Sequence, residues 1–390
     1  MARRVLAGVV FLTVVLGVGV GMHVYLAERL VLAPAWPGAV RSAGLGALAL
    51  GFAVVVLQAF VRRRLGLLWS ALAWAAYTWL GLAFLLVMTT LASDAALGLV
   101  GAALPSGGGV GGLARGRALL VMLVATAAAA VALRQGLAPP RLRRVEIALS
   151  RWPRALDGFR IAQLSDLHIG PLLDRRFAAL VATRVNELDA DLVAVTGDLV
   201  DGSVRRVGAE VEPLGALRAR HGVYFVTGNH DYYSGADGWV ARVVELGWRP
   251  LRNQRVAIGA GRASFDLAGV DDRHGNLVDP GGGEDLGRAL AERDPARAVV
   301  LLAHDPTSFK DAARCGVDLQ LSGHTHGGQI WPFRWFVRAV VPWVEGLHRV
   351  GASVLYVSRG TGFWGPPMRL GAPAEITEIT LRAGELTPSG

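Results

Sequence analysis

The chain has 390 residues, 52% of them hydrophobic, and a mean hydropathy of +0.40, which is too apolar for an ordinary soluble protein and long enough for more than one domain. Its formal net charge of +9 comes from arginine, because Lys310 is the only lysine; arginines that flank apolar runs read as topology signals, and no nucleic-acid partner is expected. The single cysteine, Cys315, excludes an intramolecular disulfide framework and a cysteine-based zinc knuckle, and reads as a small buried residue.

The first third of the chain reads as a membrane domain, residues 1–138. Val5 to Leu26 is apolar apart from Thr13 and His23, long enough to cross a hydrocarbon core of about 30 Å. Similar runs extend from about Val40 to Val61, Leu65 to Leu91 and Ala118 to Leu133, giving four transmembrane helices. A cleaved leader is the alternative for the first run, with Arg3-Arg4 as its twin-arginine hint, but three further runs argue against it. Glu28 and Asp94 are the only acids before Arg117, both at span edges, so these helices read as an anchor rather than an ion relay. Arg3, Arg4, Arg62 to Arg64, Arg134, Arg141, Arg143 and Arg144 fall on one side, against Arg29, Arg41, Arg115 and Arg117 on the other. The positive-inside rule then places both termini in the cytoplasm of a cell whose inner membrane holds the chain. Gly107 to Gly112 reads as a flexible external loop, and Arg141 to Arg144, after Pro139-Pro140, are expected at the lipid headgroups.

The second domain, residues 141–385, is built from strands that end in metal-ligand residues. Phe159 to Leu164 leads into Ser165-Asp166-Leu167-His168; Asp174 then caps a helix with Phe177, Leu180, Val181, Val185 and Leu188 at helical spacing. Leu192 to Val195 leads into Thr196-Gly197-Asp198-Leu199-Val200-Asp201, completing a β-α-β unit with an acid at the carboxyl end of each strand, the edge where α/β sheets build their sites. Val223 to Val226 precedes Gly228-Asn229-His230-Asp231, Val299 to Ala303 precedes His304-Asp305, and Leu319 to Leu321 precedes Gly323-His324-Thr325-His326. Five strands thus deliver Asp166, His168, Asp198, Asn229, His230, His304, His324 and His326 to one rim, which no packing requirement explains. Gly238 to Leu246 reads as a helix, Phe265 to Val270 as a strand with Asp271-Asp272 as a turn, Pro280 to Glu284 as a glycine-rich loop, and Asp285 as the start of a helix reaching about Arg293. Val354 to Val357 and Ile376 to Leu381 read as strands of a second sheet. His23, His221, His274 and His348 lack this context and read as ordinary residues.

Asp, His and Asn together suit Mn, Fe, Zn or Mg better than calcium or copper, and they are too many for one ion. Asp198 is the natural bridging carboxylate, being the acid that directly follows its strand behind a glycine. A pair of cations about 3.5 to 4 Å apart implies hydrolysis of a phosphate ester or anhydride.

The ordered set Asp-x-His, Gly-Asp-x-x-Asp, Gly-Asn-His-Asp, His and Gly-His-x-His resembles the calcineurin-like metallophosphoesterases over roughly residues 141 to 385. Ser-Asp-Leu-His, Thr-Gly-Asn-His, Ser-Gly-His-Thr-His-Gly-Gly-Gln and Ser-Arg-Gly-Thr-Gly resemble the membrane-associated branch that includes YkuE and YaeI. The resemblance implies an α/β four-layer sandwich, helices flanking two stacked mixed sheets. It assigns Asp166, His168, Asp198 and His326 to a first divalent metal and Asp198, Asn229, His304 and His324 to a second. His230 would protonate the leaving oxygen, oriented by Asp201 or Asp231. Protein phosphatases of the superfamily carry arginines where Thr227 and Gly202 stand here, so a phosphoprotein substrate is not expected.

Trp331, Phe333, Trp335, Phe336 and Trp343 interleave with Arg334 and Arg338 just past the metal loop, the composition of an interfacial segment, with core of the second sheet as the alternative. Beside a membrane anchor this suggests a lipid-linked phosphodiester or pyrophosphate, and some relatives resemble hydrolases of UDP-diacylglucosamine. The alternatives are a phosphodiesterase acting on soluble nucleotides and a non-catalytic scaffold. Arg359 and Arg369 are candidate substrate-phosphate ligands, with arginines of ordinary surface turns as the alternative.

Overall fold

The computed structural model describes residues 2–60, 67–103, 114–278 and 282–384. Arg62 to Arg64, the stretch 107–112 and residues 280–281 of the glycine-rich loop lie outside them. The chain falls into two compact units, Met1–Arg134 with Gly365–Met368, and Gln135–Trp364 with Arg369–Gly390.

In the first unit, helices α1 (Ala2–Leu26), α2 (Gly38–Phe60), α3 (Leu67–Ala103) and α4 (Ala114–Gly136) follow from uninterrupted apolar sequence. Four segments among the described residues are long and apolar enough to cross a bilayer: Thr13–Leu32, Gly38–Gln58, Trp69–Leu99 and Ala114–Gly136. Three outrun their sequence boundaries, α4 by running from Ala114 to Gly136 rather than from Ala118 to Leu133. The first continues past Leu26 through a π-helical turn to Leu32, and α3 reaches Ala103 rather than Leu91. Asp94 therefore lies within α3, where Arg29 and Arg117 both pair with its carboxylate and the Tyr25 hydroxyl donates to it. A carboxylate near the end of an apolar span is held by two cations, so the arginines expected on one side of the membrane meet there. His23 lies on α1 with Nδ1 2.7 Å from the Gly19 carbonyl and Nε2 accepting from Trp79 at 3.0 Å.

The second unit holds two six-stranded mixed sheets. Its strands are β1 (Arg141–Leu149), β2 (Phe159–Leu164), β3 (Leu192–Thr196), β4 (Val223–Val226), β5 (Arg249–Pro250), β6 (Gln254–Ala260), β7 (Ala263–Gly269), β8 (Val299–Leu302), β9 (Leu319–Ser322), β10 (Gly346–Val350), β11 (Ser353–Val357) and β12 (Glu375–Ala383). The first sheet has the order β1-β12-β2-β3-β4-β5 and the second β10-β11-β9-β8-β7-β6. In each, the four strands from β2 to β5 and from β11 to β7 run parallel, so their carboxyl ends share one edge.

Short parallel strands buried on both faces explain the continuous apolar runs. Leu192 and Ala194 face inward onto Leu267, Val300, Leu302, Leu321 and Tyr356 between the sheets, while Val193 and Val195 face outward onto helix α5 (Arg175–Asn186), which supplies Ala178, Val181 and Val185. Asp174 caps α5 by accepting from the backbone of Arg176 and Phe177. On the far side, Val299, Leu301 and Ala303 pack on Ala289 and Ala312 of two short helices. The layers are helix, sheet, sheet, helix.

Three expectations are corrected. β12 belongs to the first sheet, inserted between β1 and β2, because Ile379 and Leu381 face the inter-sheet core from that side. Arg141 to Arg144 form the start of edge strand β1, with Arg144 paired to Glu378 and Arg143 3.7 Å from Glu375. The helix after Asp285 is one turn, Leu286–Ala289, and Cys315 is exposed at the end of the helix Phe309–Arg314.

Polar clamps join the sheets near the shared edge. Tyr356 of β11 donates to the buried Glu375 of β12 at 2.7 Å, and Gln163 of β2 donates to the Ser322 carbonyl of β9 at 3.0 Å. Tyr356→Phe leaves a buried carboxylate short of a donor, costing roughly 1 to 3 kcal/mol. In a domain of this size that lowers the melting temperature by about 2–4 °C per kcal/mol, measurable by differential scanning fluorimetry at constant metal.

Candidate metal centre

The ligand residues stand where each parallel strand ends, and the backbone there is unusual. Asp166, His168, Asp198, His324 and His326 all have positive φ, between 46° and 72°. Non-glycine residues hold that conformation only where surrounding contacts over-determine it, and such clusters mark functional sites. Here the contacts are visible: Asp166 N donates to Gly197 O at 3.0 Å, His168 N to Asp198 O at 3.1 Å, and the Asp166 carboxylate accepts from His324 N at 3.0 Å. Gly228 and Gly323 are required by space, since a Cβ on Gly228 would overlap Asp198 and one on Gly323 would overlap Ser165 and Asp166.

Two groups of donor atoms converge. Asp166, His168 and His326 form one, with His326 Nε2 3.3 Å from Asp166 Oδ1 and 3.1 Å from His168 Nε2. Asp198, His304 and His324 form the other, with His304 Nε2 3.2 Å from Asp198 Oδ2, and Asn229 Oδ1 joins it 3.0 Å from His324 Nδ1. Asp198 lies between the groups, its Oδ2 also 3.7 Å from His168 Nε2. The far nitrogens of two rings are committed: His168 Nδ1 faces Asp201 Oδ1 at 3.1 Å and His304 Nδ1 faces the Thr196 carbonyl at 2.8 Å, which leaves each Nε2 lone pair pointing inward.

The electrostatics fit a cation site. Burial alone would push the histidines down, yet Asp201, Asp198 and Asp166 together raise His168 to about 9, and Asp198 and Asp166 raise His304 well above its ordinary value. Burial would push Asp198 up, and His304 and His168 instead hold it well below the carboxylate range. His324 and His326 are lowered by burial and by their cationic neighbours, so they stay neutral and able to ligate. Buried carboxylates that draw protons onto adjacent imidazoles demand positive charge, and a divalent cation satisfies the same demand.

His230 stands at the side of the first group, its backbone N–H donating to Asp198 Oδ1 at 2.8 Å and its Nδ1 2.7 Å from Asp201 Oδ1. Asp201 thus serves both His168 and His230, and those two histidines hold its carboxyl low against the upward push of burial. Asp231 does not reach His230. Its two oxygens accept from Leu199 N and Gly228 N, and burial followed by the nearby Asp198 raises it to about 7, so it braces the two motif loops against each other.

The expectation for Arg369 is corrected. Arg369 is fully buried, and its guanidinium donates to the carbonyls of Gly362, Arg359, Ala372 and His326 and approaches His326 Nδ1 at 3.2 Å. It ties the metal loop to the loop after β11 and is closed to substrate. Arg359 is bound through Nε to Glu345 at 2.5 Å, which also takes Arg334. Asp271 and Asp272 stay outside the donor groups, the former accepting from Arg252 and the latter from His274.

Sequence spacing missed the aromatics around His230. Tyr233 and Trp364 have ring centroids 5.5 and 5.4 Å from it, and Trp364 comes from a loop 134 residues away in sequence. Of the aromatic stretch, Trp343 packs on Phe309, whereas Trp331, Phe333, Trp335 and Phe336 are exposed on and before the helix Arg334–Val340. They are not core of the second sheet.

The calcineurin-like phosphoesterase family profile matches residues 159–328. A transmembrane protein with a metallophosphoesterase domain from Bos taurus is 41% identical over 278 residues, covering 68% of this chain and 63% of that protein, so the match spans under two thirds of that relative's length. An uncharacterized metallophosphoesterase from Aquifex aeolicus is 30% identical over 62% of this chain and 92% of its own length. The uncharacterized metallophosphoesterase YkuE of Bacillus subtilis is 31% identical over 59% of this chain and 82% of its own length. With the profile covering the strand-end ligands and these relatives alike over most of the domain's length, the chain belongs to the calcineurin-like metallophosphoesterases.

Proposed function

We propose that this chain is a metal-dependent phosphohydrolase that uses two divalent cations to cleave a phosphoester or pyrophosphate link in a lipid-linked substrate at the face of the inner membrane. The observation that carries the reading is the position of Asp198 between two donor groups, each completed by separate strand ends. Asp166, His168, Asp198 and His326 would hold one cation, and Asp198, Asn229, His304 and His324 the other, with Mn, Mg, Fe or Zn all compatible with these donors. Such a pair, when bound, polarises phosphoryl oxygens and activates a water for attack.

The chain's own residues complete the reaction. Asp201 accepts from His230 Nδ1 and fixes the ring so that its transferable proton sits on Nε2. His230 then gives that proton to the departing oxygen. The backbone bond from His230 N to Asp198 ties this acid to the carboxylate that lies between the two donor groups. Retention of every donor and of His230 favours the enzyme over a scaffold.

Two features support a substrate at the bilayer. Four candidate spans lie among the described residues. The helix Arg334–Val340, whose backbone packs directly on Gly328 of the metal loop, exposes Trp335, Phe336 and Val340 beside Arg334 and Arg338. Exposed aromatics with arginines suit an interfacial surface.

Replacement of His230 by Ala lowers kcat on a p-nitrophenyl phosphodiester by about 10²- to 10⁴-fold with metal content intact. Asp198→Asn lowers both activity and bound metal, and unchanged turnover in both variants refutes the mechanism. Gly228→Ala, which pushes Asp198 aside, reproduces the Asp198→Asn loss of metal in elemental analysis. An activity screen with Mn and Mg is expected to show turnover of nucleotide-linked or undecaprenyl lipids; turnover of soluble cyclic nucleotides alone refutes the lipid assignment. Cys315, exposed and the only cysteine, reports orientation. A membrane-impermeant maleimide is expected to label it only after permeabilisation, and labelling of intact cells would place the catalytic domain outside.

A further inference from the structure

We propose that Tyr233 and Trp364 form an aromatic stacking site for a leaving group that carries a polar-rimmed ring, as in a sugar or a nucleoside, next to the scissile oxygen. The inference rests on His230 being the acid that meets the leaving oxygen. In hydrolysis the bond from phosphorus to that oxygen breaks, water supplies the hydroxyl that stays on phosphorus, and the His230 Nε2 proton goes to the departing alcohol. Whatever that alcohol carries must therefore lie beside His230.

The surroundings of His230 are aromatic and outward-facing. Tyr233 and Trp364 meet its ring edge-on, with interplanar angles of 64° and 70°, and remain 60% and 53% exposed. Neither is spent on the core, so their faces are free for a ligand.

Both are also fixed in place. Tyr233 sits on the helix Asn229–Ser234 that begins with a donor residue. Trp364 is held through its backbone: its N–H donates to Gln329 Oε1 at 3.0 Å and its carbonyl accepts from Gln329 Nε2 at 2.8 Å. Gln329 is itself nearly buried and lies three residues past His326 in the same turn. An exposed tryptophan anchored by a paired amide to the metal loop is a built wall rather than a loose surface residue. Apolar faces with a hydroxyl and an indole N–H at their edges match a ring with a polar rim better than an acyl chain, which offers no partner for those edges. Stacking of this kind is worth about 1–3 kcal/mol per ring.

The test separates binding from chemistry. Trp364→Ala keeps the backbone pairing to Gln329, and Tyr233→Ala keeps the helix. Each is expected to raise KM for a p-nitrophenyl phosphodiester about tenfold, the low end of that stacking energy, with kcat within about twofold and metal content unchanged. Trp364→Phe is expected to recover most of the loss. By calorimetry, metal-loaded wild type is expected to bind phenylphosphonate about tenfold more tightly than methylphosphonate, and both alanine variants to lose that preference. No preference in wild type, or a preference that survives in both variants, overturns the proposal, as does an equal loss for both phosphonates. Phosphonate discrimination by a protein that hydrolyses no phosphoester would instead count against the proposed function and leave the stacking site standing.

Discussion

A carboxylate removed from water must be matched by positive charge, and the whole catalytic edge of this protein is arranged around that constraint at Asp198. The residue is 2% exposed, follows β3 directly, and touches imidazoles from the loop after β2 and from the end of β8. One sheet supplies Asp166, His168, Asp198, Asn229 and His230; the other supplies His304, His324 and His326. The inter-sheet core must therefore hold two sheet edges in register to within hydrogen-bond tolerance. The clamps at Gln163, Tyr356 and His304 Nδ1, each bonding from one sheet to the other, do that beside the ligands. Polar contacts in an otherwise apolar seam cost stability wherever they are incomplete, and here they sit where geometry matters most.

Much of this was legible because the parallel strands are short, apolar and each followed at once by donor residues. Periodicity and spacing located β2, β3, β4, β8 and β9 and the residues at their ends. Placement of β12 was not legible, because which sheet a strand joins depends on partners more than 200 residues away: Ile379 pairs with Ile161 and with Val145. Edge strand β1 reads as a basic run since its exposed positions carry Arg141 and Arg144. Arg369 looked like a surface arginine in a glycine-rich turn, and only the folded chain shows four backbone carbonyls converging on it. A guanidinium buried against carbonyls is satisfied without any carboxylate partner, so no charge pattern announces it. The positive φ angles at five donor residues are likewise invisible in a sequence that uses Asp and His, not glycine, at those positions.

The turn from Gly323 to Gln329 links these levels. His324 and His326 project to different donor groups, Gly328 lets the backbone of Arg334 approach, and Gln329 turns away to grip Trp364. Arg369 fastens the same turn from behind through the His326 carbonyl. One seven-residue segment thus sets the separation of the donor groups, seats the exposed aromatic helix and positions a wall beside the acid. A turn that fixes both donor groups, the exposed aromatic helix and the Trp364 backbone together ties recognition at this edge to the metal loop itself. Changes in its sequence therefore alter chemistry and recognition at once, whereas Tyr233 and Trp364 are free to vary the leaving group without moving a ligand.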